Sequence, residues 1–190
     1  MATAKLERRT EDAGSLRRFW RAWLRTYAAI WTMTLGIAVV VAIGAARLRT
    51  PVRHLLGARL DPRLNAPPNA GHVLALAAHN LPIVAWPVLL GVVGAHRNPV
   101  ARKAADLLVG ACMIVNVGVV GSALGAYGLA LLPYVPQLPL EWAGLALGVG
   151  SWLLQRRQAL TGREGALCVA VIACALLAAA VLETVAVPHR

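Results

Sequence analysis

The chain has 190 residues, of which 58% are hydrophobic and only 14% charged, and its mean hydropathy is +0.63. Apolar runs of about 20 residues recur along it, the length a helix needs to cross a hydrocarbon core of roughly 30 Å. A soluble globular enzyme is thereby excluded. The net charge of +11 does not point to nucleic acid, because the 19 Lys and Arg cluster in short segments between the apolar runs, where cations hold loops at lipid headgroups. Cys112, Cys168 and Cys174 lack C-x-x-C spacing and lie inside apolar runs, so neither a disulfide framework nor a zinc site is indicated. The composition is that of an integral membrane protein.

Before the first apolar run stand 26 residues with seven cations, and the acids Glu7, Glu11 and Asp12 among them. The run that follows is too long for the h-region of a cleavable signal. Ser15 to Tyr27 is amphipathic at helical spacing, with Phe19, Trp20, Trp23, Leu24 and Tyr27 on one face and Arg17, Arg18, Arg21 and Arg25 mostly on the other. Such a helix is expected to lie in the membrane interface, aromatics at headgroup depth and cations on anionic lipid. The reading divides the chain into residues 1–26, a basic segment with this interfacial helix, and residues 27–190, a transmembrane domain. Phe19, Trp20, Trp23, Arg17 and Arg21 are its interface residues.

Five apolar segments follow, approximately Tyr27 to Ala46, Gly71 to Ala95, Ala104 to Leu132, Leu138 to Leu154 and Gly165 to Val187. A helix satisfies its own backbone hydrogen bonds in lipid, so the expected fold is all-α, a polytopic bundle of about five transmembrane helices plus the interfacial helix. Thirteen cations, those of the N-terminal segment and of the second and fourth connections, lie on one side, and six on the other. The positive-inside rule then places the N-terminus in the cytoplasm and the C-terminus outside. The first connection dissents, since Arg47, Arg49, Arg53, Arg59 and Arg63 fall outside, in a proline-rich stretch expected to be extended apart from a short helix near Leu55.

Polar side chains inside spans cost roughly 2.5 to 3.5 kcal/mol on insertion scales, so each calls for a reason. In the second span His72, His79 and Trp86 recur every seven residues, with Asn80 beside His79, and Pro82 frees the carbonyl of Ala78. In the third span Cys112, Asn116 and Tyr127 share a face, flanked by Gly118, Gly121 and Gly125. Gly121-x-x-x-Gly125 and Gly144-x-x-x-Gly148 are helix-packing patterns. Glu141 opens the fourth span after Pro133, Pro136 and Pro139, and Glu183 closes the fifth. With the N-terminus inside, His79, Asn80, Tyr127, Glu141 and Glu183 all fall in the outer half of the bilayer, with Asn116 near its middle. A shared polar cluster is expected there.

At these residues the sequence resembles the stage II sporulation protein M (SpoIIM) family of small bacterial membrane proteins. The resemblance rests on His79-Asn80-Leu81 followed by Gly91 and Gly94, on Asn116-Val-Gly118-Val-Val-Gly121, on Pro136-Gln137-Leu138-Pro139-Leu140-Glu141, and on Leu182-Glu183 with Pro188. Together these span Gly71 to Pro188. Gln137 and Leu138 stand where the family has His-Gly, and His79 where it has Asn. The resemblance implies a membrane subunit: a scaffold for cell-wall hydrolases, or an accessory part of transporters that export ribosomal peptides or confer immunity to them.

Two functions are consistent with the residues. In one, the chain is a non-enzymatic membrane subunit of a cell-wall, export or peptide-maturation complex, binding a protein partner through the outer-leaflet cluster of His72, Asn80, Asn116, Tyr127 and Gln137. Homo- or hetero-oligomers are expected from the small-residue faces, in the bacterial cytoplasmic membrane. In the other, it is a cofactor-independent enzyme that isomerises or epimerises a hydrophobic peptide in natural-product biosynthesis, with His79, Cys112, Glu141 and Glu183 as acid–base groups. No phosphate loop, nucleophile elbow or cofactor motif is present, and no cofactor is expected. His72 and His79 would lie about 10 Å apart along the helix axis, too far to chelate one metal ion.

Overall fold

The computed structural model describes residues 2–44, 69–156 and 162–186, together with residues 47, 50, 51 and 54. Most of the arginine-rich first connection, including the helix expected near Leu55, lies outside the described residues, as do Arg157 and Pro188. Among the described residues the chain forms five long α-helices: α1 (Ala2–Ile43), α2 (Ala70–Val92), α3 (Pro99–Tyr127), α4 (Leu138–Gln155) and α5 (Gly162–Ala186). No strand occurs among the described residues. Arg17–Ile43, Ala70–Val92, Pro99–Leu132 and Arg163–Val185 are long and apolar enough to cross a membrane, and their outward faces carry exposed Leu35, Leu107, Ile114 and Leu167. The fold is a multi-pass membrane helix bundle.

Local chemistry sets the helix ends. The Asn69 side chain accepts from the His72 backbone N–H (2.7 Å) at the start of α2. Asn98 does the same for Val100 (2.9 Å) and Ala101 (3.2 Å), with Pro99 at the first position of α3. Between α2 and α3, Gly94 takes a left-handed conformation (φ 77°) that a side chain would strain. α1 has no such punctuation, since the first proline of the chain is Pro51. It therefore runs unbroken through residue 27, and the amphipathic segment is continuous with the first span rather than a separate helix.

α4 differs from the other four. It is 18 residues long, 12 of them buried, including Trp142, Leu145, Ser151, Trp152 and Gln155. A helix whose neighbours are helices rather than lipid can carry Ser151, Gln155 and three glycines on its packed faces. Glycine contacts fix the directions of its neighbours. Gly148 abuts the Val84 carbonyl and Gly91 the Gln155 side chain, so α2 and α4 run parallel. Gly144 faces Leu176, and Ser151 lies beside Cys168, so α5 runs antiparallel to α4. Gly121 lies against the Thr34 carbonyl and Gly125 against that of Ala38, so α1 and α3 run parallel. The expected packing role holds for all four patterned glycines, whereas a Cβ at Gly118 would meet nothing within 4 Å, because that face points away from the other helices.

α1, α3 and α5 thus run one way and α2 and α4 the other. One end of the bundle, called here the carboxylate end, holds Glu141 and Glu183; the opposite, arginine end holds Arg25, Arg102 and Arg156. α1, α2 and α5 surround α4, and α3 packs chiefly on α1. α2 and α3, although consecutive in the chain, barely touch along their lengths. A lateral cleft separates them, with α4 as its floor.

Candidate functional site

The cleft holds the polar side chains nearest the middle of the bundle. Asn80 from α2, Asn116 from α3 and Glu141 from α4 border a cavity of about 130 Å³ whose other walls are apolar, among them Ile83, Val84, Leu145 and Leu176. On the other side of Asn116 lies a wider, shallower hollow of about 520 Å³, formed by Trp86, Leu108, Ala111, Cys112 and Val115. Asn116 belongs to both. Its amide donates to the Cys112 carbonyl one turn back (2.8 Å), which orients the side chain. Glu141 occupies the first turn of α4, where the helix dipole favours a carboxylate. Neither Asn80 nor Glu141 makes a side-chain hydrogen bond to another described residue. Trp142 also lines the cavity, is 3% exposed, and its indole N–H finds no acceptor among the described residues.

Glu183 of α5 lies within electrostatic reach of both Glu141 and His72. The carboxylate end therefore gathers two acids and an imidazole from three helices. The other residues expected here are placed differently. His79 is exposed, facing away from the cavity that its neighbour Asn80 lines. Tyr127 is half-buried at the end of α3, and Gln137 is buried where the chain enters α4. Among the described residues no three His, Cys, Asp or Glu side chains gather closely enough to hold a metal ion.

The aromatic face of α1 turns partly inward. Phe19, Trp20, Trp23, Tyr27 and Trp31 form a chain of ring contacts, with centroids 5.3–6.3 Å apart. Trp23 donates its indole N–H to the Ala143 carbonyl (3.2 Å) and the Tyr27 hydroxyl to that of Pro139 (3.4 Å). These two rings brace α4, while Trp20, Leu24 and the Arg17 and Arg21 side chains remain exposed.

Asp106, Trp152 and Gln155 escaped the reading of the sequence. Asp106 in α3 accepts from the Trp152 indole (2.9 Å) and pairs with Arg156 (3.2 Å), and Gln155 donates to the Val88 carbonyl (3.3 Å). The signal for Asp106 was available: it is the one aspartate after residue 61, set three residues after the basic pair Arg102-Lys103 at the start of an apolar run. No protein family matches the chain, and no curated protein or solved structure shows significant similarity to it.

Proposed function

We propose that the chain is a SpoIIM-like membrane subunit that seats an apolar segment of a partner membrane protein in the cleft between α2 and α3. The supporting observation is the trio Asn80, Asn116 and Glu141, drawn from three helices to one apolar-walled cavity and left with hydrogen-bonding capacity unused. In hydrocarbon such groups favour a partner that completes them, at about 1–2 kcal/mol per hydrogen bond. An apolar helix carrying one or two Ser, Thr, Asn or backbone carbonyl groups meets that requirement. The setting is the bacterial cytoplasmic membrane, with the N-terminus on the cytoplasmic side as the cation distribution favours. The acid–base alternative has less support. Of its four groups Glu141 and Cys112 border the two hollows of the cleft, whereas His79 is exposed and Glu183 lies beyond the cavity wall.

Photo-crosslinking in the native membrane tests the proposal. A photoreactive residue at Ile83, in the cleft, is expected to capture one discrete membrane partner, and Glu141→Gln to lower that yield severalfold. The same probe at Leu177, on the exposed face of α5, is expected to capture lipid only. Equal capture at both positions, or a yield untouched by Glu141→Gln, refutes it.

A further inference from the structure

The arginine end carries a second hollow, independent of the cleft. It measures about 430 Å³, within the range of small-ligand sites, and lies among α1, α3 and the end of α4. Arg25, Arg102 and Arg156, more than 50 residues apart in sequence, converge on it. Thr26, whose hydroxyl donates to the Ala22 carbonyl (2.9 Å), lines it from α1, and Leu153 and Leu154 supply an apolar wall. Three like charges brought together repel one another, and the fold compensates only one of them: Asp106 pairs with Arg156 (3.2 Å), and the same carboxylate oxygen is already engaged by the Trp152 indole. Among the described residues no acid pairs with Arg25 or Arg102. The hollow is therefore a pocket with two uncompensated guanidinium groups and a third available at its rim.

We propose that this pocket binds a phosphate group. Guanidinium forks match phosphate oxygens in pairs, and three forks from three helices can surround a tetrahedral anion as no single basic face could. Arg25 stands two residues before the apolar run that begins at Tyr27, which puts the pocket at headgroup depth. The apolar wall of Leu153 and Leu154 suits the glycerol and upper acyl region of a lipid. A phosphate from a phospholipid headgroup and a free phosphate share the same binding chemistry.

Thermal unfolding of the full chain in detergent micelles separates the two sources. Phosphatidylglycerol is titrated in one arm, inorganic phosphate in another, and phosphatidylcholine and sodium chloride serve as controls. Phosphatidylglycerol is expected to raise the unfolding midpoint by several degrees more than phosphatidylcholine. Arg25→Gln and Arg102→Gln are each expected to weaken that effect about tenfold in lipid concentration, the loss of one charge-assisted contact. Neither substitution breaks an ion pair seen here, so both variants keep the bundle intact, which Arg156→Gln need not do. Arg163→Gln, an exposed arginine outside the pocket at the same end of the bundle, should leave the titration unchanged. A shift produced by inorganic phosphate and lost in Arg25→Gln assigns the site to a soluble phosphate. No shift with either probe, or equal weakening by Arg163→Gln and Arg25→Gln, overturns the proposal.

Discussion

The two ends of the bundle treat polar side chains in opposite ways. At the arginine end Asp106 ties α3 to α4 through Trp152 and Arg156, and Gln155 ties α4 to α2 through the Val88 carbonyl. Each is a contact between helices, where a hydrogen bond replaces the packing that the hydrophobic effect cannot supply inside lipid. At the carboxylate end Asn80 and Glu141 border open space, and Asn116 bonds only to its own helix. The first set holds helices together, whereas helix packing holds the second set in place. This contrast, more than the number of polar residues, is what supports the site proposed in the cleft.

The largest effect is expected where α4 meets α2, because both ends depend on that seam. A Cβ at Gly148 would strike the Val84 backbone carbonyl, which cannot move without displacing the helix. Gly148→Leu should therefore cost about 3 kcal/mol or more in unfolding free energy measured in mixed micelles. Gly36→Ala, where nothing lies within 4 Å, should be neutral or stabilising by up to about 1 kcal/mol. Equal tolerance of both substitutions would remove α4 from the centre of the bundle, and the comparison of its two ends with it.

Asp106→Ala comes next, at about 2 kcal/mol. Most of this belongs to the Trp152 indole, a charge-assisted bond to a residue 1% exposed, and less to Arg156, whose side chain is 40% exposed and whose ion pair is worth at most about 1 kcal/mol. Double-mutant cycles should accordingly give a larger coupling energy for Asp106 with Trp152→Phe than with Arg156→Gln. The reverse order would make the arginine end a surface ion pair rather than an interhelical lock.

Much of the fold was legible because a bilayer leaves few choices. Four of the five expected spans, the alternation of helix directions and the glycine seams at Gly121, Gly125, Gly144 and Gly148 follow from length, hydropathy and spacing, whereas Leu138–Gln155 is not among the helices long and apolar enough to cross. The rank of α4 was not legible: as a string it is one more apolar run, and only its neighbours make it central. Of the candidate site, Asn80, Asn116 and Glu141 were read from the cost of polar groups in hydrocarbon, and they do share a cavity. His79 was grouped with them by its depth in the bilayer, but depth does not fix which face of a helix a residue takes, and the cavity lies on the side of Asn80. The inward turn of Trp23 and Tyr27 was hidden for a related reason, since an amphipathic face looks the same whether it meets headgroups or another helix. Asp106 was passed over because its partners Trp152 and Arg156 are distant in sequence.

The smallest stability effect is expected at the cleft itself, and there it is the sharpest test. Asn80→Ala removes a side chain that bonds no described residue, and Glu141→Gln exchanges a carboxyl group that bonds no described residue for an amide of the same volume. Both variants should unfold within about 0.5 kcal/mol of the parent chain. A loss of stability as large as that of Asp106→Ala would make the carboxylate end a second lock, like the arginine end, and would remove the reason for placing a partner in the cleft. Unchanged stability together with a lost crosslink at Ile83 has the opposite meaning, because a polar group that costs energy in the membrane and adds nothing to the fold is retained for what it binds.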